Sequence, residues 1–467
     1  MPDQHDLNSL SPLDGRYAEK TAPLTRCMGD AALTRYRALV ECRYLIKLCA
    51  TPGVKIRVLK PSEKALLNKL SSLSDTEIEL IYAIETTGAG GIPATRHDVK
   101  SVEYFLKSRL ERSSMRDIKE YVHFGLTSED VNNISYALTL RDALAKEVLP
   151  ALAEILKVMD TLARKHAAAP LLARTHGQPA VPTTFGKEFR VFHARLNRQY
   201  AQLEKARICA KLNGATGNYN AHAAAFPGAD WERFSKEFIE SFNAGRGPAL
   251  EYNPLTTQIE PHDSYAEVFD ALSRANTILL AFCQDMWRYI SAELVGQKAV
   301  AGEIGSSTMP QKVNPIHFEN AEGNLGLANA MLAFFSSKLP VSRLQRDLSD
   351  STVERNFGAA FGHSLVAYKA LLTGLSRVSV NEAFAAGELE AHPEVIAEGI
   401  QTILRRERAT APYEQLSRLT RGRRVTLVEL REFIDGLELK ASVKTELRKL
   451  SPLNYTGLAV KLALGRR

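Results

Sequence analysis

Cysteine is scarce and unpaired along this chain. Cys27, Cys42, Cys49, Cys209 and Cys283 are odd in number, scattered, and never spaced as C-x-x-C. That pattern excludes a disulfide framework or a thiolate zinc site and fits a reducing compartment. Long apolar runs are missing too: none approaches the ~18 residues that a membrane span needs. The polar opening MPDQHDLNSL has no apolar signal core, and the closing ALGRR is not an S-K-L type of address. The expected compartment is therefore the cytoplasm. Also absent are G-x-x-x-x-G-K-[ST], H-E-x-x-H and G-x-S-x-G, which removes the P-loop, zincin and nucleophile-elbow readings. The GAGG of Gly88 to Gly91 lacks dinucleotide-loop spacing and a preceding strand, so it reads as a flexible turn. No side-chain cluster suggests a metal, and alternating strand patterns are few.

What is present is globular. Hydrophobic residues make up 45% and charged residues 24% of 467 positions, close to soluble averages. That length allows roughly three domains at about 150 residues each. The formal charge of +7 suits either nucleic acid or an anionic small substrate. Without an arginine-rich tail or aromatic–basic alternation, the second is favoured.

Apolar residues recur every three or four positions in long stripes. One runs through Leu140, Leu144, Val148, Leu152, Ile155, Met159 and Leu162. Others follow Phe185, Phe189, Phe192, Leu196, Tyr200 and Leu203, and Val268, Leu272, Ala275, Leu279, Phe282, Met286 and Ile290. Each marks one face of a helix longer than average, and such stripes are core rather than cofactor sites. Pro150 interrupts the first, where a kink is expected. The chain reads as all-α in three parts: an N-terminal helical domain (1–117), a central long-helix bundle (118–373) and a C-terminal helical domain (374–467).

Polar islands break this pattern: SPLDGRY, TRHDVKSVEY, HFGLTSEDVNN, ARTHGQPA, TTQIEPHD, GSSTMPQKVNPIHFENAEGN and QRDLSDSTVERN. The loop from Gly305 to Asn324 cannot be continuous helix, because Pro310 and Pro315 lack a backbone N–H. Taken singly, most islands are caps or turns; Thr127, Ser128 and Asp130 have helix-start chemistry. His123 and His262 read as hydrogen-bonded structural histidines. A lone His176 ahead of a helix reads as a capping or core residue. Seven such islands together exceed what capping needs.

Gly305 to Pro315 matches G-S-S-x-M-P-x-K-x-N-P throughout, and so resembles the signature of the fumarase/aspartase superfamily. SPLDGRY, HDVKSVEYFL, TSEDVNN, RTHGQPA, NGATGNYNAH, TTQIEPHD, PVSRLQRDLSDSTVERN and RLTRGRR narrow the resemblance to the adenylosuccinate lyase family over nearly the whole chain. The resemblance implies a β-elimination that releases fumarate from adenylosuccinate, giving AMP, and from SAICAR, giving AICAR, without a cofactor or metal. It implies Ser306 as general base, on a loop that closes over substrate, and His176 as general acid. Lys312 and Asn314 would hold the succinyl carboxylates, with Ser307, Val313 and Asn320 beside them. Thr127 and Ser128 would donate to carboxylate, and Gln258 would orient the succinyl group. Arg16, Tyr17, Arg346, Ser351, Thr352 and Arg355 would take phosphate and ribose, and His97 and Asp98 would lie near the leaving nitrogen. A homotetramer with sites shared between subunits is implied as well, with no nucleic-acid or membrane partner.

The sequence departs from the family pattern at three places. Arg96 stands where asparagine is usual, after the insertion GAGGIPA, and adds a cation beside the substrate. Gln311 replaces a common histidine, and His317 a common aspartate. Competing readings are a sister enzyme such as argininosuccinate lyase, which would not need the DGRY and STVER islands, a non-catalytic helical scaffold, and a basic RNA-binding protein.

Overall fold

The structure, a computed structural model, describes residues 8–465 except 244, 246, 301, 303–307, 310 and 423. It is dominated by helices, as the stripes require. The first five are α1 (Ala18–Met28), α2 (Asp30–Leu48), α3 (Pro61–Leu70), α4 (Asp75–Thr86) and α5 (Asp98–Glu111). Local chemistry sets several of their starts. Proline opens α3, where a missing N–H costs nothing. Ser74 and Glu77 form a reciprocal box at α4, with the Ser74 N–H donating to Glu77 Oε2 at 3.0 Å. Apolar faces of α2 to α5 converge on one core that includes Leu45, Leu67, Ile81 and Phe105.

The GAGG segment is more ordered than a flexible turn. Ala89 and Ile92 exchange both backbone hydrogen bonds at 3.0 Å, and Gly90 and Gly91 take φ of 60° and 83°. Two consecutive positive φ values make a type I′ turn, which glycine alone adopts freely. The returning strand donates from Thr95 and Arg96 to the carbonyls of Ile84 and Glu85 at 3.0 and 2.9 Å. The insertion thereby pins the segment leading into His97 against the end of α4.

Next come α6 (Ser128–Ala143), a π-helical turn at Leu144–Val148, and α7 (Leu149–Lys165). The π turn answers the Pro150 expectation. Proline cannot donate to the carbonyl four residues back, and the preceding turn widens instead of continuing regularly. The long helices that follow are α8 (Phe185–Glu204), α11 (Asp263–Ser291), α12 (Ile316–Lys338) and α14 (Phe357–Ser376), with short α9 (Asn220–Ala225), α10 (Trp231–Glu240) and α13 (Ser349–Glu354) between them. Among the described residues six short strands form three two-stranded sheets: β1 (Pro170–Thr175) with β2 (Gln178–Thr184), β3 (Arg207–Ala210) with β4 (Ala249–Tyr252), and β5 (Val295–Gln297) with β6 (Val378–Val380).

By contact the chain forms two compact units. The first takes 1–153, 198–277 and 323–369; within it Phe269, Phe335 and Phe357 meet with ring centroids 5.0–5.6 Å apart. The second takes 154–197, 278–322 and 370–467. There Phe192 packs edge-on against Phe282 at 5.1 Å, and the C-terminal helices close over Ile400, Leu404, Leu430, Ile434 and Leu447.

Candidate active site

Backbone conformation singles out the islands independently of any likeness. Nine non-glycine residues among those described have positive φ, and five of them are Arg96, His123, His176, Tyr219 and His262. Each lies in one of the polar segments quoted above. Left-handed backbone is costly for residues with a Cβ, and such strain gathers where chemistry needs a side chain held in one place.

In the first unit, the N-termini of α5 and α6 carry His97 and Ser128. His97 is the N-cap of α5, and its Nδ1 accepts the Lys100 N–H at 3.3 Å. With Nδ1 accepting, the ring proton of the neutral form belongs on Nε2, which lies 3.4 Å from Ser128 Oγ. Two helix starts thus present a hydroxyl and an imidazole N–H at the positive ends of their dipoles, a setting suited to an anion. Asp98 stands behind them, 2.6 Å from Arg37 Nη2 and 3.0 Å from Arg355 Nη2. Burial would raise its carboxyl, but Arg37, the Val99 N–H and Arg355 outweigh that and hold it below the usual range.

Thr127 begins α6 as expected, its N–H donating to Asp130 Oδ2 at 2.9 Å. Asp130 in turn forms a wholly buried ion pair with Lys211 at 2.9 Å. Its oxygens also accept from Asn213 N at 3.0 Å and Gly214 N at 3.2 Å. The segment that begins α6 is anchored a second time by His123. The carboxylate of Glu41 takes both the His123 N–H at 3.1 Å and its Nδ1 at 2.5 Å. His123 is thus a bonded structural histidine. Burial would lower its imidazole, but Glu41 outweighs that and raises it.

Arg346 Nη1 donates to Gln258 Oε1 at 3.3 Å, and its Nη2 lies 3.1 Å from Glu129 Oε2. Residues expected to serve the nucleotide half and the succinyl half are therefore joined directly. Ser351, Thr352 and Arg355 follow on and just beyond α13, and Arg355 ties that helix to Asp98. Tyr17 is the N-cap of α1 and its N–H donates to Pro12 O at 2.7 Å. Arg16 and Arg96 are exposed, and no side-chain hydrogen bond or ion pair among the described residues joins either to this network. His262 corrects the expectation of a hydrogen-bonded histidine: it is fully buried, and among the described residues neither ring nitrogen has a hydrogen-bond partner, Nε2 lying 3.5 Å from Glu354 Oε1.

In the second unit, His176 sits neither in the core nor at a helix start. It occupies the exposed tip of the β1–β2 hairpin, where Thr175 pairs with Gln178 and His176 and Gly177 take φ of 52° and 76°. Pro170, Pro179 and Pro182 are tolerated because both strands are edges. Of the signature loop, Ser306 and Ser307 lie outside the described residues. The Lys312 N–H donates to Met309 O at 3.1 Å, and the Val313 carbonyl accepts from Gln297 Nε2 at 3.0 Å. That contact ties the loop's return to the end of β5. Pro315 O then receives Phe318 and Glu319, starting α12, on which Asn320 lies one turn in. Asn314 immediately precedes Pro315.

Sequence reasoning missed Arg37, Glu41, Lys211 and Glu129. A signal existed for two of them: Thr34, Arg37, Glu41 and Tyr44 all lie on the buried face of α2 at spacings of three and four, and polar groups on a buried stripe demand partners.

Two family models match the chain. One described as lyase covers residues 46–331, and one described as adenylosuccinate lyase C-terminal covers residues 342–456. The fold is shared with a solved fumarate lyase from Mesorhizobium sp. BNC1 at a TM-score of 0.71, 18% identity, and 96% and 98% coverage of the two chains. The architecture is accordingly that of the fumarase/aspartase-type lyases. Adenylosuccinate lyases of Haemophilus influenzae and Escherichia coli are each 46% identical over 459 residues, covering 98% of both chains. The chain belongs to the adenylosuccinate lyase family.

Proposed function

We propose that this protein is a C–N lyase that cleaves adenylosuccinate to AMP and fumarate, and SAICAR to AICAR and fumarate. The observation that carries this reading is the near-full-length likeness to curated adenylosuccinate lyases. In the proposed reaction Ser306, as its alkoxide, takes the proton from the carbon next to the succinyl carboxylate. The electron pair left behind is held in that carboxylate by Lys312 and Asn314. Collapse to the fumarate double bond expels the leaving nitrogen, which takes a proton from His176. A histidine on an exposed turn can reach a substrate that lies outside its own hairpin.

His97 and Ser128 would bind carboxylate and the region of the leaving nitrogen, with Thr127 and Gln258 on the succinyl half. Arg16, Tyr17, Arg346, Ser351, Thr352 and Arg355 would bind phosphate and ribose; guanidinium forks match phosphate oxygens. Arg96 adds positive charge beside them. The working form is a homotetramer whose sites draw on several subunits. Leu327 and Phe334, seven residues apart on one face of α12, support it, being 55% and 53% exposed. No helix among the described residues is long and apolar enough to cross a membrane, and the proposed compartment is the cytoplasm.

The test is absorbance-monitored turnover of purified protein with adenylosuccinate, with argininosuccinate as the control. Stoichiometric fumarate and AMP are expected, and Ser306→Ala should bind substrate yet lose nearly all turnover. Activity on argininosuccinate alone, or full activity in Ser306→Ala, would overturn the respective assignment.

A further inference from the structure

Behind the Arg346 arm lies a buried ionic cluster that the proposed chemistry does not use. Glu129 in the first turn of α6, Glu260 and His262 ahead of α11, and Asp350 and Glu354 on α13 are all buried within the first unit. Four carboxylates face two cations, His262 and Arg346. His262 Nε2 is 3.5 Å from Glu354 Oε1, and its backbone N–H donates to Glu260 Oε2 at 2.7 Å. Arg346 reaches Glu129 at 3.1 Å and lies 3.9 Å from Asp350. Yet among the described residues Glu129 Oε1, Glu354 Oε1, Asp350 Oδ2, Arg346 Nε and both His262 ring nitrogens have no hydrogen-bond partner. A buried cluster so thinly bonded is held by its charge balance, and its geometry depends on which groups carry protons.

We propose that His262 is a positioning residue for Arg346: its imidazolium balances Glu354, so that Glu129 ionises more readily than it otherwise would and, once ionised, fixes the guanidinium with its other edge toward Gln258 and the substrate. The proposal rests on the reading of Arg346 as a ligand of the nucleotide half. Burial alone would lower the His262 imidazole, but Glu354, Glu260 and Glu129 push it up to about 9. At Glu129, burial and Glu354 outweigh Arg346 and His262 and raise the carboxyl to about 8, so it ionises only at mildly alkaline pH. Removing the His262 charge therefore drives a proton onto Glu129 and releases Arg346. The aromatic neighbours do not compensate. Tyr265, whose ring lies 5.0 Å from the imidazole, and Tyr136 both have hydroxyls that burial and Glu354 keep neutral. His262 holds this place with a left-handed φ of 65°, immediately ahead of α11.

The experiment measures KM and kcat for adenylosuccinate in the intact protein at about pH 8.5, between the Glu129 and His262 values. His262→Gln should raise KM by about tenfold or more while kcat stays within about threefold, the pattern of lost binding rather than lost chemistry. His262→Gln combined with Glu354→Gln should bring KM back to within about threefold of wild type, which a packing defect would not do. An unchanged KM in His262→Gln, or no repair in the double variant, overturns the proposal. Should His262→Gln fail to fold, Glu354→Gln decides alone. The alkaline rise in wild-type KM near pH 9 should then move down by about one unit, and an unmoved rise is the refuting result. If wild type does not turn over adenylosuccinate, the function reading fails separately, and AMP affinity measured by calorimetry on the same variants tests His262 by the same criteria.

Discussion

Replacing Lys211 by methionine removes one half of an ion pair in which neither side chain has any solvent exposure. Losing one partner of a buried pair costs about 3–5 kcal/mol, because the other charge is stranded. The two halves are not equally provided for. Stranded Asp130 would keep N–H donors from Thr127, Asn213 and Gly214, which places Lys211→Met near the lower end, about 3 kcal/mol. Lys211 would keep only uncharged acceptors, the Gly214 carbonyl at 2.8 Å and the new amide oxygen. The new amide NH2 would face the Thr127 N–H that Asp130 Oδ2 accepts, which places Asp130→Asn near the upper end, about 5 kcal/mol. The assay is urea unfolding at fixed protein concentration, reading the free energy of the first transition for each variant. Lys211→Met with Asp130→Asn should cost less than the sum, since no unpaired charge remains. A reversed order of the single variants, or either costing less than about 1 kcal/mol, would refute the reasoning.

Three further outcomes follow from the site. Gly217 takes φ +81°, and a Cβ there would lie 2.2 Å from the Thr256 carbonyl oxygen. Gly217→Ala should displace the segment bearing Gln258 and lower kcat/KM by about 100-fold, whereas near-normal kinetics would show the loop can yield. Glu41→Gln should destabilise by about 2 kcal/mol at pH 6. The His123 imidazole is raised by Glu41, so that stability is fully present below the ordinary value of about 6.5 and is lost as pH rises through the folded value. Unfolding midpoints of wild type and variant should therefore converge toward alkaline pH, and a constant gap would contradict the pairing. Asp98→Asn leaves the buried Arg37 guanidinium without its carboxylate and should cost about 3 kcal/mol in the same assay while raising KM through Arg355.

The helical stripes were legible because periodicity is local: Leu140 through Met159, and Val268 through Met286, are buried as their spacing requires. The start of α6 was legible for the same reason, since Thr127 and Asp130 are three residues apart. The β1–β2 hairpin was not. Three prolines in its strands resemble loop chemistry, and only the pairing of Leu171 with Thr183 and Thr175 with Gln178 reveals it. Partners remote in sequence were equally hidden. Arg37 meets Asp98, Glu41 meets His123, and Lys211 meets Asp130, and nothing in either segment names the other. The His262 ring was misread because a histidine's neighbours, not its type, decide whether it is bonded.

Left-handed backbone at Arg96, His123, His176, Tyr219 and His262 also shapes how this sequence can vary. Each of these residues stores about 1 kcal/mol or more that glycine would release. A library selected for heat resistance should therefore enrich glycine at the exposed Arg96 and His176, but not at His123 or His262, whose charges face the buried Glu41 and Glu354. One selected for turnover should purge it at His176, so that this one position records opposite histories under the two regimes.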